Sequence, residues 1–212
     1  MGRWTRSRWL WAAFLVAVVF AASVLILCAN PSLYALSIRR AIDPPIEPAM
    51  VRDVSAHLPD DPARIEEWVR QEIVFDANDY ASWGVVLYIA TPEEVLERGR
   101  GPCYGRAVVL ASILEEKGLQ YRLMANMVHV WVDYAGRELR HWHERPEYAA
   151  FSWENGRWRF EGMGWIVAAP KQALWLTKHL WATTSWMQKT ALSAVLTVAA
   201  GLQWRIWKRR PV

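Results

Sequence analysis

Residues 99–118 read GRGPCYGRAVVLASILEEKG, and their pattern decides what kind of domain the chain builds. Gly99, Gly101 and Pro102 break the backbone. Cys103 then stands at the first turn of a helix predicted to run to Lys117 and stop at Gly118. Cys103, Ala107, Leu110 and Leu114 share one stripe, while Val108, Val109 and Ile113 cover much of the remaining surface. Such a helix is apolar nearly all round and belongs at the centre of a fold. A thiol at its N-terminus feels the positive end of the macrodipole and the free backbone N–H groups, which favour thiolate. The same N–H groups could stabilise an oxyanion.

Working outward, Asp61-Pro62 reads as an N-cap followed by a first-turn proline. Ile65, Trp68, Val69 and Ile73 then recur at helical spacing, so a helix over about 62–74 buries one face. A turn-rich stretch from Asp76 to Trp83 and the apolar run VVLYIA follow; Trp83 reads as a core residue, with a pocket wall as the sharper alternative. Thr91-Pro92-Glu93-Glu94 opens a short helix through a capping box. After Gly118, YRLMANMVHVWVDY has a strand pattern with Val128, Val130 and Val132 on one side and His129, Trp131 and Asp133 on the other, which puts His129 mid-strand. Arg137–His143 and Arg157–Glu161 are further strand-like runs, and Asn155-Gly156 signals a hairpin before the last.

The order of WVRQEIVFD, TPEEVLERGRGPC, GLQYRLM, HVWV and NGRW resembles the transglutaminase-like superfamily of papain-like cysteine enzymes, over roughly residues 60–165. Gly101-Pro102-Cys103 before a small-residue-rich helix matches that family's nucleophile helix, and His129 with Trp131 its His-x-Trp strand. The resemblance implies an α+β papain-like fold, a nucleophile helix packed on an antiparallel sheet, with a Cys-His-Asp triad. It covers amide hydrolases, acyl transferases and members that have lost catalysis. The chemistry of the residues agrees: a thiolate attacks an amide carbonyl, an imidazole carries the proton, and an acceptor orients the imidazole. Cys103 has no disulfide partner in the domain, because the chain's other cysteine, Cys28, lies in the N-terminal apolar run.

The third member departs from the family. Its aspartate is expected after a Gly-x-Trp strand, where NGRWRFE offers Glu161. If Ala135-Gly136 is a two-residue turn, Trp142 faces His129 and Glu144 lies one diagonal step away, roughly 7–8 Å, on the same face. Glu144 is the preferred orienter, Glu161 the alternative, and Asp133 a weaker one nearer the solvent edge. His141 and His143 lie beside these residues, but on this register they take the face opposite His129; no metal and no cofactor is expected. Arg137, Arg140, Arg157 and Arg159 read as a solvated face, with an anionic-substrate or headgroup surface as the alternative.

The remaining sequence speaks of membrane. From Leu10 to Ala29 run twenty residues without charge or proline, roughly 30 Å of helix at about 1.5 Å per residue. Arg3, Arg6 and Arg8 in the tail 1–9 place that end in the cytoplasm and the domain outside, on the periplasmic side of an inner membrane. A cleaved signal peptide is the rival, with a usual apolar stretch of about 7–15 residues. Cys28 resembles a lipoprotein acceptor, but Leu27 before it is large for such a site. Residues 30–60, with the proline-rich IDPPIEP, read as a linker, 61–170 as the domain and 171–189 as an interfacial helix. Residues 190–207 read as a second span or surface helix flanked by Trp186, Trp204 and Trp207, and 208–212 as a basic tail.

With 212 residues and two cysteines the chain holds one domain with appendages, and neither a disulfide mini-protein nor a four-thiolate zinc site. The net charge of +4 gathers at the ends and does not point to nucleic acid. The expected partners are the lipid bilayer and a peptide, cell-wall or membrane-protein substrate. A catalytically silent domain that binds an envelope partner is the alternative from another class.

Overall fold

The computed structural model describes residues 10–11, 13–19, 21–23, 30–76, 83, 88–126, 129–183 and 185–208. Helix α1 (Pro31–Ile42) starts where the Asn30 side chain accepts the Leu33 N–H. Helix α2 (Pro62–Glu72) starts where Asp61 accepts from Ala63, and α3 (Pro92–Arg98) starts in the Thr91–Glu94 capping box. Gly99 ends α3 at φ +61°, a left-handed position that suits glycine. Strand β1 (Val74–Phe75) pairs in parallel with β2 (Arg100–Gly101), which ties the end of α2 to the entrance of α4 (Cys103–Glu116).

Helix α4 is the axis of the core. Val108, Val109, Ala111, Ile113 and Leu114 have no exposed surface, and the helix packs against α2, α3, the turn Pro48–Val51 and strand β4 (Val130–Asp133). Truncating Ile113 or Leu114 to alanine would cost about 2–5 kcal/mol. Gly105 lets α3 and α4 approach closely, since a Cβ there would stand 3.0 Å from Val95 Cγ2.

The sheet is antiparallel in the order β4-β3-β5-β6, with β3 Arg122–Ala125, β5 Phe151–Glu154 and β6 Arg157–Phe160. Leu123 opposite Val132 faces α4, and Met124 opposite Trp131 packs on the other side with Ala149. Asn155-Gly156 forms the predicted tight hairpin, with both residues at positive φ.

Two strand expectations are corrected. Arg122–Asp133 is a hairpin rather than one strand: the Asn126 N–H donates to the His129 carbonyl and the Asn126 side chain accepts the His129 N–H, both at 3.0 Å. His129 therefore stands at the start of β4, not mid-strand, while Val128 lies outside the described residues. Arg137–His143 is no strand, and among the described residues β4 is the sheet edge. The chain does turn at Ala135-Gly136, with Arg137 N–H donating to the Tyr134 carbonyl. It then leaves the sheet because Arg137 is drawn into a buried ion pair, and short 3-10 turns follow at Trp142–Glu144 and Pro146–Tyr148.

The stretch 30–60, expected as a linker, is folded onto the domain. Arg40 Nη1 donates to Tyr88 Oη, the Ile89 carbonyl and Glu94. Ile46 packs on the core and the Glu47 N–H donates to Ser112 Oγ. At the other end, α5 (Trp165–Thr183) rests on the Pro146–Tyr148 turn, and α6 (Trp186–Lys208) runs through Lys189 without a break. Among the described residues no helix is long and apolar enough to cross a membrane. Of the expected anchor Leu10–Ala29, residues 10–11, 13–19 and 21–23 are helical; the rest, with Arg3, Arg6, Arg8 and Cys28, lies outside the described residues.

Candidate active site

Cys103 opens α4, whose N-cap is Pro102 with no side-chain cap, so the first-turn N–H groups remain available to the thiol. His129 is delivered to the same place by the Asn126 turn, where its side chain and that of Cys103 shift each other's protonation. On the far side of the ring, Nε2 meets Glu144 Oε1 at 3.3 Å. With Nε2 so engaged, Nδ1 is left for the sulfur. The ring is braced by Trp131, stacked at 5.7 Å and 14°, and by the edge of His143 at 4.5 Å and 82°.

Glu144 is buried, and its second oxygen accepts from Arg137 Nη2 at 2.8 Å. Arg137, only 4% exposed, also bonds Glu66 at 3.2 Å, and Glu66 accepts from Tyr134 Oη at 2.6 Å. A continuous hydrogen-bonded chain thus runs from α2 through Glu66, Arg137 and Glu144 to His129, which lines the cleft with Cys103. Each carboxylate in it has two donors, the condition under which buried charge is tolerated.

The electrostatics favour separated charge at the thiol and imidazole. Burial opposes the Cys103 thiolate, but the hydrogen bond and charge of His129, with the N–H groups of Val130 and Tyr104, hold the thiol below its ordinary value. Burial likewise opposes the His129 imidazolium; hydrogen bonds and charges from Cys103 and Glu144 outweigh it and raise the ring to about 9. For Glu144, burial is overcome by His129 and Arg137, which hold the carboxyl down to about 2. His143 is lowered to about 4, by burial and then by the charge on His129, and so stays neutral beside it.

Of the three carboxylates named from sequence, the structure brings Glu144 to His129 and leaves the others elsewhere. Asp133 pairs with Arg122 at 2.7 Å. Glu161 follows β6, at the opposite edge of the sheet from β4, and accepts from Ser152 Oγ. His143, expected on the face opposite His129, instead touches it, because the 3-10 turn replaces the strand whose alternation set that expectation. His129, His143 and Glu144 place ligand atoms within 4.8 Å of one another and could grip a metal ion. They would do so only by giving up the His129–Glu144 hydrogen bond. Trp83 packs on the core against Tyr88 and Arg98 and does not line the cleft. Arg137 is a second correction. It is buried in the site, whereas Arg140 (37% exposed) and Arg159 (57%) lie nearer solvent.

Sequence reasoning missed Arg137 and Glu66. Both are charges in stretches whose local pattern reads as surface, and only their cross-chain pairing reveals them. Asn126 did carry a turn signal, a short polar side chain able to bond its own backbone inside an otherwise apolar alternation.

These groups line a cleft of about 460 Å³ whose other walls include Val69, Phe75, Ala107 and Trp142. A cysteine at a helix start, a histidine on the adjoining sheet and a carboxylate behind it, in an α+β domain, define a papain-like arrangement. A family model described as the transglutaminase-like superfamily matches residues 47–170, more than half of the chain. The chain belongs to that superfamily. No curated protein and no solved structure matches it.

Proposed function

We propose that the protein is a membrane-anchored cysteine enzyme acting on amide bonds, with Cys103 as nucleophile, His129 as proton carrier and Glu144 as orienter. The observation that carries this reading is the meeting of the three side chains in one cleft, with charge favoured on both sulfur and imidazole. The thiolate adds to the amide carbonyl carbon, and the N–H groups of the α4 first turn face the resulting oxyanion. As the C–N bond breaks, the His129 imidazolium gives its proton to the leaving amine and a thioester remains. Neutral His129 then takes a proton from water, the hydroxyl adds to the thioester, and the C–S bond breaks to release a carboxylate and restore the thiolate. An amine in place of water gives acyl transfer; hydrolysis is the default because water needs no site of its own.

Anchoring rests on the uncharged run Leu10–Ala29 with arginines before it, and on exposed apolar residues of the terminal helices, among them Trp11, Phe14, Trp186, Leu196 and Trp204. The domain would face the periplasm, with a peptide, a cell-wall component or a neighbouring membrane protein as substrate. The discriminating experiment is iodoacetamide labelling of folded protein across pH. Cys103 should alkylate well below the ordinary thiol value of about 8.5, and His129→Ala should remove that advantage. An ordinary thiol curve in both proteins would favour instead a silent domain that binds an envelope partner.

A further inference from the structure

The cleft carries a feature the catalytic reading does not use. Arg106 lies one turn along α4 from Cys103, and its guanidinium is fixed by donation from Nε and Nη2 to the Ile73 carbonyl and from Nη2 to the Arg70 carbonyl. These acceptors are neutral, so they orient the group without cancelling its charge. Arg70 lines the same wall from α2, and neither arginine is ion-paired to a carboxylate among the described residues. Of the three acids on that stretch of α2, Glu66 is engaged by Tyr134 and Arg137 and Glu67 by Gln71 and Arg140, with Arg70 only a weaker, unbonded charge on Glu67, and Glu72 forms no ion pair with either arginine among the described residues. Burial and the neighbouring charge of Arg70 both lower the Arg106 guanidinium from its ordinary value while leaving it charged. Two like charges side by side in a half-buried wall are unfavourable for the fold by itself and become favourable when an anion sits between them. The floor beneath is apolar, with the Phe75 ring 5.5 Å from the Arg106 guanidinium carbon and Val69 and Ala107 beside it.

We propose that Arg70 and Arg106 form an anion-binding subsite beside Cys103, and that the amide substrate carries a carboxylate close to its scissile bond, as an acidic peptide does. This inference rests on the thiol-enzyme reading and narrows its substrate class. A neutral or cationic acyl group would leave the paired charges uncompensated, so the subsite selects against it. Arg106 also feels the Cys103 charge, which makes Arg70 the cleaner position to vary.

The test compares alkylation of Cys103 by anionic iodoacetate and neutral iodoacetamide, in folded protein and in the same protein unfolded in urea. The iodoacetate-to-iodoacetamide rate ratio should be about tenfold higher in the folded state. It should fall several-fold in Arg70→Gln, be largely retained in Arg70→Lys, and decline with added salt. A folded ratio no higher than the unfolded one, or one indifferent to Arg70→Gln, overturns the subsite. Slow iodoacetamide alkylation of the folded protein, by contrast, overturns the nucleophile reading alone. Independently of the thiol, calorimetric titration of the Cys103→Ser protein should show N-acetylglutamate binding more tightly than N-acetylglutamine, with the preference lost in Arg70→Gln. Equal affinity, or no binding of the acid, refutes the proposal.

Discussion

Replacing Glu144 by glutamine removes one negative charge at the centre of the buried chain while keeping its shape. Glu144 Oε1 is 3.3 Å from His129 Nε2 and Oε2 is 2.8 Å from Arg137 Nη2. A hydrogen bond to a charged group contributes about 1.5–3 kcal/mol, or about one to two pKa units. In Glu144→Gln the imidazole, held at about 9 in the native protein, should therefore titrate near 7–8. The same change leaves buried Arg137 with Glu66 as its sole carboxylate and gives the site a single amide oxygen where Glu144 has one oxygen for His129 and one for Arg137. Breaking a buried pair costs about 3 kcal/mol, which lowers Tm by roughly 6–12 °C in a domain of this size. The assay is NMR of the ¹³C-labelled histidine ring, assigned by its loss in His129→Ala, with calorimetry on the same samples. An unchanged midpoint and an unchanged Tm would refute the view that Glu144 holds the imidazolium.

Three further outcomes follow from the same geometry. Glu144 has a folded value of about 2, below its ordinary 4.5, so its contribution to stability is present above pH 4.5 and lost as pH falls towards 2. Urea midpoints should decline through that window in the native protein and much less in Glu144→Gln. Asn126→Ala removes the side chain that accepts the His129 N–H, and should slow Cys103 alkylation several-fold at pH 6 while Asn126→Asp, which keeps the acceptor, retains most of it. Deleting residues 10–29 should move the protein from the membrane pellet to the soluble fraction after alkaline carbonate extraction; retention in the pellet would locate the attachment in α6 instead.

What was legible in the sequence was local. The Cys103 helix announced itself because one stretch combined chain breakers, a thiol and an apolar surface on all sides, and the Asn-Gly hairpin because its turn demands those residues. The sequence pattern places Glu144 beside His129 through a strand, where the structure has a 3-10 turn. The turn at Ala135-Gly136 is real and brings the chain back beside β4, but Arg137 diverts it from the ladder into the interior. Alternation cannot foresee that, because a buried arginine is fixed by Glu66, more than seventy residues earlier in the chain, and leaves no mark in its own neighbourhood. The fold of residues 30–60 was hidden for a related reason. Its proline-rich stretch suggests a spacer, whereas Ile46 packs on the buried core and the Glu47 N–H finds Ser112 of α4, partners that only the assembled domain supplies.

The most direct measurement is the thiolate absorbance of the native protein near 240 nm across pH, taken as a difference from Cys103→Ser. A thiolate should already be present below the ordinary thiol value of about 8.5, with His129 remaining protonated beside it until about pH 9. A single step at the value of a free cysteine, unchanged in His129→Ala, would contradict it.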